Sequence, residues 1–216
     1  MPDHPLGGRF VLDTSALLTE GIRRDGEDLA AALRRVLDLV AEATLSLDVA
    51  CYVPPAVHDE LTGILAAREV PEDVRSTLDN WVVTKTPARH EVAVPAEVVG
   101  GFVEELSDRV DRGLDVSEAA VRRADADDPV DRVVADLRDE YRSALRRGLL
   151  DSRADFDLLV LARELDACVV TEDTGIVPWA EDFGLRHRRG REFPALLERY
   201  LRAAEGDAPT EGTVEQ

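Results

Sequence analysis

Short apolar runs that end in acids or prolines and then give way to helical patterns constrain this chain most. Arg9-Phe10-Val11-Leu12-Asp13-Thr14-Ser15 begins the series. Ala50-Cys51-Tyr52-Val53 stops at Pro54-Pro55, Trp81-Val82-Val83 follows, and Cys168-Val169-Val170-Thr171-Glu172-Asp173 comes last. Between the first two runs, Leu29, Leu33, Val36, Leu37, Val40 and Leu45 recur at helical spacing and predict a helix over 27–46. Val57, Leu61, Ile64 and Leu65 mark another, and 72–80 a shorter one. Thr14 or Ser15 is expected to cap the helix that follows the first strand. The order β-α-α-β-α-α-β predicts an α/β protein with a parallel sheet.

The character changes over 95–148, where strand signals vanish. Val98, Val99, Phe102, Val103, Leu106 and Val110 predict one helix, which Gly113 is expected to break. A short helical turn follows over 116–123, then a loop over 124–129. Val130, Val133, Val134, Leu137, Tyr141 and Leu145 predict a long helix over 129–148. The segment reads as a helical insertion, 95–148, in a discontinuous core of 8–94 and 149–203. Helices are expected at 152–165, 176–183 and 192–203 and a strand at 167–171. The polar tail 204–216 is expected to be disordered. No run of about 18 apolar residues predicts a membrane span, and the N-terminus lacks a signal-peptide pattern, so a cytoplasmic protein is expected. Cys51 and Cys168 lie in apolar strands and read as buried, inert thiols.

In open α/β sheets functional groups gather beyond the carboxyl ends of the strands. Asp13 and Asp173 end two strands, and Asp151 and Asp155 open the helix of Leu150-Asp151-Ser152-Arg153-Ala154-Asp155-Phe156-Asp157. An i,i+4 pair is separated by about 40° around a helix, so Asp151 and Asp155 share a face, while Asp157 should point to solvent. Gathered carboxylates repel unless neutralised, and hard oxygen donors suit Mg²⁺ or Mn²⁺. The set predicts a metal-dependent phosphodiesterase. Singly, Asp151 is also a plain N-cap and Asp155 a residue suited to the helix dipole. Glu60 is either a further metal ligand or a surface glutamate. His58 and His187 have no partnering motif, and a metal-activated water needs no histidine base.

The formal net charge of −19 runs against nucleic-acid binding, which basic charge normally supports. The acids are spread along the chain and Lys85 is the only lysine. This pattern suits either a halophilic protein or an ordinary acidic protein of a GC-rich genome. Local arginines must then supply any RNA contact. Candidates are Arg188, Arg189 and Arg191, in Arg186-His187-Arg188-Arg189-Gly190-Arg191, and the ridge of Arg138, Arg142 and Arg146 with Arg147 beside it. Both clusters can equally pair with nearby acids.

Val11-Leu12-Asp13-Thr14-Ser15-Ala16-Leu17, the Pro55 to Glu60 segment and Val169-Val170-Thr171-Glu172-Asp173 resemble PIN domains, a superfamily of metal-dependent ribonucleases. Leu150-Asp151-Ser152-x-x-Asp155-x-Asp157-Leu158-Leu159, Thr171-x-Asp173-x-Gly175-Ile176 and the helical insertion resemble more closely the HARP-type minimal protein-only ribonuclease P, some of whose members carry the label "RNA ligase partner". The resemblance covers nearly the whole chain. It implies a PIN-like core with a protruding helical hairpin, removal of the 5′ leader of precursor tRNA, and homo-oligomers built from dimers, up to a dodecamer. It implies that Asp13, Asp151, Asp155 and Asp173 are the catalytic metal ligands, with Glu60 matching the wider PIN pattern. A toxin-type PIN ribonuclease with another RNA substrate and a non-catalytic scaffold of an RNA-processing complex are the alternatives.

Overall fold

The computed structural model of the chain describes residues 8–125, 129–145 and 152–206. Five strands, β1 (Arg9–Leu12), β2 (Ala50–Val53), β3 (Val82–Thr84), β4 (Cys168–Val170) and β5 (His187–Arg188), form one sheet. Their order is β3-β2-β1-β4-β5 and every neighbouring pair is parallel. Helices α1 (Thr14–Leu18), α2 (Leu29–Leu47), α3 (Pro55–Ala67) and α4 (Glu72–Trp81) alternate with the first three strands. Helices α5 (Ala96–Asp125) and α6 (Val130–Leu145) follow, then α7 (Arg153–Leu165), α8 (Ile176–Asp182) and α9 (Phe193–Gly206). The expected α/β architecture with a parallel sheet is present. β5 lies between the helices expected at 176–183 and 192–203, where the sequence reading assigns no element because two residues carry no periodicity.

Central strands are apolar because helices cover the sheet. Val11 and Leu12 of β1 and Val169 and Val170 of β4 are fully buried, and each such side chain contributes about 1.5–3 kcal/mol. α2 buries Leu33, Val36, Leu37 and Val40 and packs against α4 and α9. Leu45, counted in that stripe from its spacing, is instead 76% exposed. α2 ends at Asp48, whose φ of 53° closes the helix in the left-handed region. Near the start of α2, Arg35 grips Glu27 through Nε and Nη2 at 3.0 and 2.9 Å. That bond, with the Arg24 amide, lowers the Glu27 carboxyl to about 2.

The chain divides into two compact units: Met1–Val92 with Ala154–Gln216, and Ala93–Arg153. The second holds α5 and α6 packed together. α5 is one helix of 30 residues rather than two pieces broken at Gly113. Gly113 makes room there for α6: a Cβ on it would lie 2.9 Å from Tyr141 Cε2. In the first unit, α9 continues through Gly206, so 204–206, assigned to the tail from composition, are helical.

Candidate active site

All strands of a parallel sheet end at one edge, and ligand sites form there where the direction of winding reverses. The order β3-β2-β1-β4-β5 puts that reversal between β1 and β4. Val11 faces Val169 and Leu12 faces Val170. Asp13 and Thr171, the next residues, therefore leave the sheet side by side, with the Asp13 N–H donating to Val170 O at 2.9 Å.

Asp13 itself is the N-cap of α1, in place of the expected Thr14 or Ser15. The residue is only 8% exposed. Oδ2 accepts from the Ser15 N–H at 3.3 Å, from the Thr171 hydroxyl at 2.8 Å and from the Ser15 hydroxyl. Ser15 Oγ in turn accepts from the Glu172 N–H, and Thr171 Oγ1 from the Asp173 N–H, each at 2.9 Å. Two hydroxyls thus join the ends of β1 and β4 and fix one oxygen of Asp13. Among the described residues no donor reaches its Oδ1. Asp173 has a similar arrangement: Oδ1 accepts from the Gly175 N–H at 2.7 Å, an Asx-type turn, and Oδ2 has no described donor. Glu60, on the second turn of α3, accepts the Thr14 hydroxyl through Oε2 at 2.7 Å.

The structure therefore ties Asp13, Asp173 and Glu60 to one another through Ser15, Thr171 and Thr14. Asp155 stands half-buried in the first turn of α7. α7 feeds β4 from behind and so begins at the carboxyl edge of the sheet. The T-shaped contact of Phe156 with Phe183, 6.1 Å between ring centres, anchors that end of the helix. Asp151, Arg146 and Arg147 lie outside the described residues. Among the described residues, no three acidic, histidine or cysteine side chains gather closely enough to hold a metal ion. The chemistry of the donors nonetheless suits a hard divalent cation: all are carboxylates, and among the described residues no donor reaches one oxygen of Asp13 or of Asp173. Cys51 and Cys168 are buried thiols that form no disulfide with each other, and burial pushes the Cys51 thiol up to about 12. His58 Nε2 is held by Asp79 at 2.9 Å.

Asp157 does not face solvent, as its helical angle suggests. It is 4% exposed and forms a two-pronged ion pair with Arg89. The loop after β3 folds over that side of α7 and covers it. Of the candidate arginines, Arg138, Arg142, Arg188 and Arg191 are exposed and Arg189 is half-buried. Arg142 lies 3.7 Å from Asp139.

The family model for PINc domain ribonucleases matches residues 9–202. The chain is 55% identical to an "RNA-free ribonuclease P" of Haloarcula marismortui, over 96% of this chain and 97% of that protein. The chain belongs to the RNA-free ribonuclease P family. Proteins with the same name from Methanopyrus kandleri and Archaeoglobus fulgidus are 41% and 38% identical, each over 90% of this chain and 94% and 92% of their own lengths. As a member of the RNA-free ribonuclease P family, the protein is an endoribonuclease with a PIN nuclease domain, and its substrate is RNA. PIN nucleases generally use divalent metals, and the carboxylate donors at this edge agree with that chemistry. Among the described residues, no helix is long and apolar enough to cross a membrane.

Proposed function

We propose that the protein removes the 5′ leader of precursor tRNA, leaving a 5′-phosphate on the mature tRNA and a 3′-hydroxyl on the leader. The observation that carries this reading is the 55% identity, over nearly the full length of both chains, to a protein named for that class of activity. It favours this substrate over that of a toxin-type PIN ribonuclease. Asp13, Asp151, Asp155 and Asp173 are proposed to hold Mg²⁺ or Mn²⁺, with Glu60 as a weaker contributor. A cation bound to such a set activates water and offsets charge on the phosphate. The chain's own part is to present the donors. Ser15 and Thr171 fix Asp13 Oδ2 and thereby aim Oδ1, and the Gly175 amide fixes Asp173 in the same way.

The residues 95–148 are proposed as the part that organises a homo-oligomer, in which a second subunit grips the tRNA at a distance from the cut. Arg138, Arg142, Arg146 and Arg147, with Arg188, Arg189 and Arg191, are proposed RNA contacts. The acidic surface is read as a halophilic adaptation, supported by the Haloarcula relative, and the expected location is the cytoplasm.

The test is cleavage of precursor tRNA in Mg²⁺ by the wild type and by Asp13→Asn, Asp155→Asn and Asp173→Asn. Each variant is expected to lose at least about 100-fold in single-turnover rate, since each removes a group that stabilises charge in the transition state. Folding should be intact or slightly improved, because a like charge has been removed. Wild-type protein that leaves precursor tRNA whole would overturn the substrate. Wild-type rates in all three variants would overturn the metal set.

A further inference from the structure

The carboxyl end of β5 and one face of α9 enclose a groove of about 560 Å³ lined by Arg188, Arg191, Arg199 and Arg202, with Gly21 and Glu192. Arg199 and Arg202 belong to neither arginine cluster that the sequence makes visible. Residues 192, 195, 199 and 202 recur at helical spacing and share one face, and the fold brings that face to Arg188 and Arg191.

Among the described residues no carboxylate pairs with any of these four guanidinium groups. Arg188 donates to its neighbour's carbonyl, His187 O, at 3.0 Å, and Arg202 to Glu198 O at 3.2 Å. Arg24, Arg34, Arg35, Arg89 and Arg123 all have carboxylate partners. Four like charges gathered in one groove repel one another, a cost that a bound polyanion would reverse.

The groove is also fixed to the acidic edge. Glu172, next to Asp173, accepts the Arg191 N–H through Oε1 at 2.9 Å. A Cβ on Gly190 would lie 2.6 Å from Ala16 Cα, and one on Gly21 2.5 Å from Arg191 Cβ. The turn that carries Arg191 is therefore pressed directly against α1, the helix that Asp13 caps.

We propose that this groove binds the phosphodiester backbone of the RNA substrate, with Arg199 and Arg202 as phosphate contacts that position the strand beside the acidic edge. The inference rests on the ribonuclease P reading and adds to it a site that sets affinity without touching the reacting phosphate. Guanidinium groups on the backbone carry no sequence information, so their effect is uniform across substrates and salt-dependent. Among the described residues Glu192 is the one carboxylate in the lining, and it opposes binding.

The test compares the full-length wild type with Arg199→Ala/Arg202→Ala, Glu192→Gln and a charge-matched control, Arg68→Ala/Arg163→Ala, whose arginines lie outside the groove. Precursor-tRNA affinity is measured by fluorescence anisotropy over a KCl series. Single-turnover cleavage is measured at saturating protein, and mass by light scattering. The arginine pair should flatten the slope of log affinity against log salt by about 1.4–1.8. At saturation its cleavage rate should stay within about twofold, the signature of lost uniform binding. Glu192→Gln should bind more tightly, a gain that misfolding does not produce. The control should leave the slope unchanged.

An unchanged slope in the arginine pair, an equal loss in the control, or weaker binding by Glu192→Gln would overturn the groove. So would a change of mass at unchanged RNA affinity, which would make the groove a protein contact. Wild-type protein that binds RNA with a groove-dependent slope but does not cut precursor tRNA would instead overturn the ribonuclease P reading and leave the groove standing.

Discussion

Asp157 and Glu164 stand two turns apart on α7 and hold the segment that follows β3. Asp157 takes Arg89, while Glu164 accepts the Ala88 N–H at 2.7 Å and meets Lys85 Nζ at 3.0 Å. The Ala88 amide, with help from Lys85, keeps the Glu164 carboxyl below the usual range, and the bond from Asp157 raises the Arg89 guanidinium. Asp157 is thus a structural residue, whereas Asp155, two residues away, is a proposed metal ligand. Asp157→Asn should destabilise the fold by about 1–2 kcal/mol, between the values for exposed and fully buried pairs, because Arg89 reaches solvent. Cleavage should survive well below the melting point. Asp155→Asn should show the reverse pattern, with stability kept and cleavage lost. Urea unfolding beside a cleavage assay checks both, and a wild-type midpoint for Asp157→Asn would remove the pair's structural role.

At the scale of elements, Gly113 shows packing overriding local propensity. Glycine inside a helix costs about 1 kcal/mol relative to alanine, yet α5 runs through it for 30 residues. The Tyr141 ring occupies the space that a side chain would need. Gly113→Ala should therefore gain little in the wild type, because its methyl displaces that ring. In a Tyr141→Ala background the same change should recover about 1 kcal/mol. Thermal unfolding of the four members of this cycle would show the coupling; additive effects would mean that the close approach is unimportant.

At the scale of the whole molecule, charge and apolar surface make separate demands. With a net charge of −19, self-repulsion is strongest in dilute buffer and is screened as salt rises. The melting temperature should climb as KCl goes from low to molar concentration, and a flat or falling curve would favour an ordinary acidic protein. Val99, Phe102, Val103, Leu106 and Val110 on α5 are each at least 47% exposed. The proposed homo-oligomer would bury such a stripe against a second subunit. Phe102→Asp/Leu106→Asp should lower the mass seen by light scattering and keep the circular dichroism of a folded protein. A wild-type monomer would end the assembly proposal.

The sequence by itself determined the alternation of strands and helices and the acids at the ends of β1 and β4, because apolar periodicity and turn chemistry are local properties of the chain. It also carried the family likeness, whose motifs span the whole length. Several of its failures share one physical cause, the arrival of a distant segment. Asp157 is buried because Arg89, 68 residues away, folds over it. Ser15 and Thr171 hold Asp13 together although 156 residues separate them. β5 exists only because β4 supplies its hydrogen bonds. The arginine groove forms only when α9 packs beside β5. Spacing along the chain assigns a residue to a face of its own element. What that face meets is decided by which other elements the hydrophobic core draws against it.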